Sequence, residues 1–533
     1  MAQSVYGTRG IAVAPHSLAA ESAVAVMREG GNAIEAMIAA AATIAVVYPH
    51  MNSIGGDGFW VINGPGGRPG GIDASGRSAR AATRAWYRSH GIQDTIPPRG
   101  GLAALTVAGT VSGWGAAQAL SRDHLGGRLP LSRLLEDAIY LARHGIPVTQ
   151  SQANCTRAKQ QELSEWAEFA RTFLPDGQVP APGDLFLQPR LAQTLSTLAR
   201  EGTDSFYRGR LAAGMAVELA HAGSPLTLED LQAHRAKLVD PLSLTCGSSR
   251  LLNMVPPSQG LVSLLILGIM DRVHGWNDDP EGADFIHAQV EATKLAFSVR
   301  DRYLTDPDFM TLTATELLAP GRIDALAARL DTERAAPWGK TSRPGDTIWM
   351  GAIDGNGVAV SFIQSIYHEF GSGIILPSSG VNWQNRGCSF SLDPGHVNTL
   401  EPAKKPFHTL NPAMALQDDG SLMVYGTMGG DGQPQTQATI YNRVARFGDD
   451  PQRAIERPRW LLGRTWGRAS DSLKLESRFD ATTIAALRAL GHDVETIGAW
   501  DEAVGHAGML IRQANGVMVG GYDPRSNGAV ASF

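Results

Sequence analysis

Cysteine is scarce: only Cys155, Cys246 and Cys388 occur in 533 residues. Their odd number and the lack of a CxxC spacing argue against a disulfide framework and a cysteine metal site. Charge is sparse too, at 18% Asp, Glu, Lys and Arg with a net of −6. No Lys/Arg block interleaved with aromatics occurs, so nucleic acid is not an expected partner. The longest apolar run, 36–48, is too short to cross a bilayer and suits a buried helix, so no membrane is expected either. The start of the chain lacks a charged segment leading into an apolar one, which makes a cytoplasmic location the default expectation.

Familiar catalytic signatures are also missing. No GxGxxG opens a helix, no phosphate loop occurs, and no GxSxG sits at a strand–helix elbow. The 14 histidines form no HExxH or similar spacing. His144, His287 and His492 read as surface or structural residues, and no metal is expected.

Glycine and proline, by contrast, are plentiful, at 60 and 30 residues without a period, which predicts many tight turns. Asn32 is a good cap for an Ala-rich helix over 33–47 that is apolar nearly all round and therefore buried. Helices are predicted over 261–274, 283–303, 434–446 and 481–491. Strands are predicted over 11–14, 348–353, 358–363, 373–376, 413–417, 422–426 and 508–512. Helices dominate the first two thirds and strands the last third. This suggests one α+β composite with sheets packed under helices.

The last third carries the features of chemical interest. Arg343-Pro344-Gly345-Asp346 reads as a turn, and Thr347 opens a strand that returns through Asp354-Gly355-Asn356-Gly357. On pattern alone Thr347 is an ordinary strand residue. Phe370-Gly371-Ser372-Gly373 and Met428-Gly429-Gly430-Asp431-Gly432 are small-residue turns. Paired glycines expose backbone N–H groups that suit an oxyanion hole, or serve simply as turns.

Taken together, motifs along nearly the whole chain resemble the γ-glutamyltranspeptidase family of N-terminal-nucleophile hydrolases. They are Glu29-Gly-Gly-Asn-Ala-Ile-Glu-Ala, Ile54-Gly-Gly-Asp-Gly-Phe, Pro256-Pro-Ser-Gln-Gly and Tyr303-Leu-Thr-Asp-Pro-Asp, then the Thr347 strand, Phe370-Gly-Ser-Gly, Lys405-Pro-Phe-His-Thr-Leu-Asn-Pro, Met428-Gly-Gly and Asp523-Pro-Arg-Ser. The resemblance implies a four-layered αββα sandwich built from two fragments of one precursor, 1–346 and 347–533. It implies self-cleavage between Asp346 and Thr347, with the Pro344–Gly345 turn bringing that bond into reach. Thr347 is then both nucleophile and, through its freed α-amine, base. Gly429 and Gly430 supply the oxyanion hole, and Ser365 hydrogen-bonds the nucleophile. No metal or organic cofactor is implied. The partners are a small-molecule substrate and the other fragment, and a dimer of such pairs is compatible with the family.

The substrate end departs from that pattern. Ser75 stands where the family has a carboxylate-holding Arg, with Arg77 two positions on. Ser389 replaces an Asp that grips the substrate amine, Tyr367 an Asn, Arg386 a Gln, and His408-Thr409 a Ser pair. A γ-glutamyl substrate would leave its ammonium unpaired, which is costly in a buried site. Arg386, His408 and Thr409 suit a single carboxylate, and Tyr367 and Trp383 narrow the space. The expected activity is hydrolysis of a small carboxylate amide. A γ-glutamyltransferase or glutathione hydrolase is the alternative, and an unprocessed, inactive relative with a binding role is a third. Arg386 as a structural ion-pair partner also remains open.

Overall fold

The computed structural model describes residues 3–64, 66, 69–339, 345–464 and 470–533. The expected turn at Arg343–Pro344 lies outside the described residues. Two antiparallel sheets, each of seven strands among the described residues, form the middle of the molecule. One runs Val5–Gly7, Met518–Tyr522, Ala507–Arg512, Leu422–Thr427, Ala413–Gln417, Ser249–Asn253, Leu242–Cys246. The other runs Ala529–Ser532, Gly10–Ala14, Asp346–Asp354, Ala359–Tyr367, Asp57–Asn63, Pro69–Ala74, Lys237–Val239.

Side-chain alternation explains why these sheets stack. In the strand Asp346–Asp354, Trp349 and Ile353 point into the core between the sheets, against Met414, Val424 and Leu510. Ile348, Met350 and Ala352 point the other way, into the core shared with helices Ser17–Arg28 and Ala33–Val47. Successive strand residues face opposite sides, so a strand apolar on both faces must be covered on both. The first sheet turns Leu251, Ala415, Met423 and Met509 toward helices Gly260–Met270, Ala283–Tyr303 and Gly432–Ala445. The result is helix, sheet, sheet, helix, as expected.

The chain before residue 346 and the chain after it interleave in both sheets. Asp346–Asp354 lies between Gly10–Ala14 and Ala359–Tyr367 in one, and Ala413–Gln417 lies against Ser249–Asn253 in the other. A break at residue 346 therefore leaves the ladders joining the two portions intact.

The helix Ala33–Val47 starts with a full capping box, Asn32 accepting from the Glu35 N–H and Glu35 bonding back to the Asn32 N–H. The predicted strand 373–376 does not form. Phe370, Gly371 and Gly373 all have positive φ, and among the described residues only an isolated bridge joins Ile375 to Asn382.

Candidate active site

Thr347 lies one residue into its strand and is fully buried. The ladder with Ala359–Tyr367 is irregular here: Asp346 pairs with Tyr367 but Ile348 pairs with Gln364. The extra residue is on the partner strand, so Thr347 faces the Ser365–Ile366 pair across a bulge. Bulges re-aim side chains beside functional sites. The bulge ends in Tyr367 at φ 82, a conformation that costs an aromatic residue roughly 1–3 kcal/mol and needs a surrounding structure to hold it. That hold is visible: Ser365 Oγ accepts the Tyr367 N–H at 2.8 Å. The Arg386 guanidinium also stacks on the Tyr367 ring at 3.9 Å.

Gly429 and Gly430 sit just before the helix Gly432–Ala445, at φ 113 and 53. Both conformations suit glycine, and a Cβ on Gly430 would stand 2.8 Å from the Gly345 carbonyl oxygen. The glycine turn thus presses against the backbone just upstream of Thr347. Amides ahead of a helix have no intrahelical acceptor, and the helix dipole favours negative charge beside them. Gln433, in the first turn of that helix, reaches Thr347 Oγ1 with its Nε2 at 3.3 Å. The sequence reading missed Gln433. Its signal is a run of buried amides, Gln433, Gln435 and Gln437, in a helix with little apolar stripe to explain them.

The other end is built on Arg386, which is 1% exposed on the short 3-10 turn Arg386–Ser389. Its Nη1 donates to Thr409 Oγ1 at 3.3 Å. Among the described residues, its Nε and Nη2 have no hydrogen-bond partner. Burial pulls its pKa down to about 10, with Tyr367 and Asp57 acting the other way, so it stays a cation at neutral pH. An unpaired buried cation costs several kcal/mol, which an anion brought beside it would offset.

His408 Nε2 stands 3.2 Å from Asp57 Oδ2, in poor alignment for a hydrogen bond. Burial, then the Arg386 charge, lowers its pKa to about 4, so the ring is neutral at pH 7. Gln259 ties the two ends together, donating to Thr409 O at 2.7 Å and to Gly430 O at 2.8 Å. The sequence showed Gln259 within a loop motif but gave it no role.

The remaining candidates make other contacts. Ser75 Oγ is engaged with Asp73 at 2.5 Å, and Asp73 is paired with Lys405. Arg77 is occupied by Asp306 and Asp308. Ser389 shares the turn with Arg386, and its hydroxyl makes a long 3.5 Å contact to Phe407 O. The Trp383 indole donates to Thr106 O and its ring stacks on Phe206.

Comparison with known proteins agrees with this arrangement. The family model described as Gamma-glutamyltranspeptidase matches residues 19–533. The chain is 56% identical to the oxamate amidohydrolase proenzyme of Klebsiella pneumoniae, over all of both chains. It is 39% identical, again over all of both, to a glutathione hydrolase-like proenzyme of Bacillus subtilis. Among solved structures it superposes on the cephalosporin acylase of Bacillus halodurans with a TM-score of 0.92 at 32% identity, covering 100% of this chain and 97% of that one. The fold is that of the N-terminal-nucleophile amide hydrolases, made as precursors that process themselves, and this chain belongs to the gamma-glutamyltranspeptidase family.

Proposed function

We propose that the chain cleaves itself between Asp346 and Thr347 and then hydrolyses the amide of a small carboxylate, oxamate foremost, through an acyl-enzyme on Thr347. The observation that carries the substrate half is the buried Arg386, with Nε and Nη2 unfilled, stacked on the residue that pairs with Asp346. A guanidinium offers two parallel N–H groups to a carboxylate, and burial strengthens the pairing.

In the first reaction the Thr347 hydroxyl attacks the Asp346 carbonyl. The acyl group moves from nitrogen to oxygen, and water hydrolyses the ester. This leaves a carboxylate on Asp346 and a free α-amine on Thr347. That amine, with a reference pKa of about 8, takes the hydroxyl proton in the second reaction. Thr347 Oγ1 adds to the substrate amide, and the N–H groups of Gly429 and Gly430 receive the oxyanion. The intermediate collapses with loss of ammonia, and water releases the acid. With oxamate and one water the products are oxalate and ammonium. Gln433 steadies the hydroxyl, Ser365 holds the bulge, and Arg386 with Thr409 holds the carboxylate. The neutral His408 ring and Tyr367 close the space around the substrate. Ser75 and Ser389 stand behind this ring of contacts. We place the reaction in the cytoplasm, in purine (uric acid/allantoin) breakdown.

A second reading, glutathione hydrolysis, is favoured by the Bacillus subtilis relative. It needs a carboxylate for the glutamyl ammonium. The buried carboxylate beside His408, Asp57, accepts the Gly76 and Gly109 N–H groups on Oδ1, both at 3.0 Å, so its Oδ2, 3.2 Å from His408 Nε2, is the oxygen such an ammonium would have to reach.

A denaturing gel and an ammonia assay test the proposal. Wild type is expected as two bands, the larger close to twice the smaller, and to release ammonia from oxamate. Thr347→Ala is expected as one 56.7 kDa band with no activity. A single wild-type band, or turnover of a γ-glutamyl anilide with oxamate untouched, would contradict it.

A further inference from the structure

The helix Ala283–Tyr303 and the turn after the helix Ala481–Ala489 bring together two histidines 205 residues apart in sequence. His287 and Glu291 are four residues apart on the same helix and so share a face. His492 follows Gly491, where the chain leaves its helix at φ 99, and its N–H returns to Leu487 O at 3.1 Å. This closing turn fixes where the imidazole goes. His287, Glu291 and His492 are 1, 3 and 7% exposed. One ligand atom from each lies within 4.8 Å of the other two. None of the three belongs to the machinery around Thr347.

We propose that His287, Glu291 and His492 form a binding site for a first-row divalent metal ion, zinc foremost. The hydrogen bonds say which nitrogens face it. His287 Nε2 lies 2.8 Å from Asp331 O, so it carries the proton, and Nδ1 presents its lone pair. That lone pair faces His492 Nε2 at 2.8 Å. The two rings now share one hydrogen, and a metal ion takes its place once His492 shifts its proton to Nδ1. Bonds of about 2.0–2.1 Å to two imidazole nitrogens ask the pair to open only slightly. Asp331 O holding the far side of His287 is the outer support that metal-bound histidines use.

Glu291 supplies the third ligand. Its Oε1 now receives Lys294 at 2.7 Å and its Oε2 the Ala336 N–H at 3.1 Å, each oxygen keeping a second lone pair. Lys294 Nζ is the cation that the cluster uses at present, and it also donates to Ala336 O at 2.7 Å. An arriving ion displaces it from the carboxylate while the carbonyl retains it. Two imidazoles and a carboxylate are borderline ligands that suit zinc and leave a fourth position for water. His287 and Glu291 precede Thr347 in the chain and His492 follows it, so a bound ion also ties the two portions together.

The test uses tag-free, full-length protein stripped with a chelator. It is titrated with zinc by calorimetry and with cobalt(II) by visible absorption. The expected result is saturable uptake of one ion per chain, tetrahedral cobalt bands, and a thermal midpoint that rises with zinc concentration. His492→Ala is expected to lose the bands and to weaken zinc binding about 100-fold or more, and Glu291→Gln to weaken it about 10- to 100-fold. Circular-dichroism melts of the stripped variants check folding. If His492→Ala does not fold, Glu291→Gln and the wild-type cobalt spectrum decide. No saturable uptake by wild type, or uptake unchanged in the folded variants, overturns the site.

Discussion

Arg525 and Arg386 are buried to nearly the same depth, and the protein treats them in opposite ways. Arg525 makes ion pairs with Glu476 at 2.5 Å and Asp523 at 3.1 Å, and its neighbour Arg459 pairs with Asp523 as well. These carboxylates raise the Arg525 pKa against the burial that lowers it. Arg386 has one threonine hydroxyl, a tyrosine ring and no carboxylate within ion-pair distance among the described residues. Arg443, also buried, shows a third solution: backbone carbonyls of Ala454 and Pro458 cap its Nη atoms. A buried guanidinium that is neither paired nor capped carries a standing cost, and it sits one strand pairing away from Thr347. On the proposed function, the difference separates an arginine that stabilises the fold from one that receives a ligand.

That contrast can be broken by experiment. The largest expected effect is at Arg525. Arg525→Met takes one arginine partner from each of two buried carboxylates, leaving Asp523 with Arg459 and Glu476 with Arg478, and should cost about 3 kcal/mol in denaturant unfolding, the low end for a broken buried pair. Arg386→Met removes a buried charge that, among the described residues, no ion pair holds and only one carboxylate, the more distant Asp57, favours, so its stability should be unchanged or higher. A comparable loss in both variants would erase the distinction.

Gln433 sharpens the other side of the site, where no charge is involved. Gln433→Leu forfeits one neutral hydrogen bond to Thr347 Oγ1, worth about 0.5–1.5 kcal/mol. A slowing of roughly tenfold in the appearance of the two fragments is expected, read on a time-course gel. Processing at the wild-type rate would remove Gln433 from the account.

A smaller effect comes with pH. Burial leads the causes that hold His16, His234 and His408 near pKa 4 and His50 near 3. The unfolded chain takes up their protons near pH 6.5 while the fold resists until about 4. Stability from these groups is therefore complete above pH 6.5 and falls as the pH drops toward 4. Thermal midpoints should decline across that window, and His50→Gln should flatten the decline. An unchanged slope in that variant would show that His50 is protonated in the fold.

Much of this was legible in sequence because it is local. Helix 33–47 and its cap, the hairpin through Asp354–Gly357 and the glycine turn at 429–430 all appear where residue chemistry puts them. Thr347, Arg386, Thr409 and the glycines were nameable from motif order. What sequence could not show is occupancy. Ser75 and Arg77 look like free polar groups in a string of letters, yet Asp73 and Asp306 engage them. His287 and His492 look unrelated until two helix ends bring them to 2.8 Å. Gln433 hid for the same reason, since it sits on a helix and its partner lies 86 residues away on a strand.

The central claim is that Arg386 recognises the carboxylate of a small amide. The most direct measurement compares kcat/KM for oxamate and for oxamide, which has a second amide in place of the carboxylate, in wild type and Arg386→Met. The account predicts that the preference for oxamate collapses by about 10²- to 10³-fold in the variant while its two bands persist and its oxamide turnover changes little. An unchanged oxamate-to-oxamide ratio in fully processed Arg386→Met would contradict it.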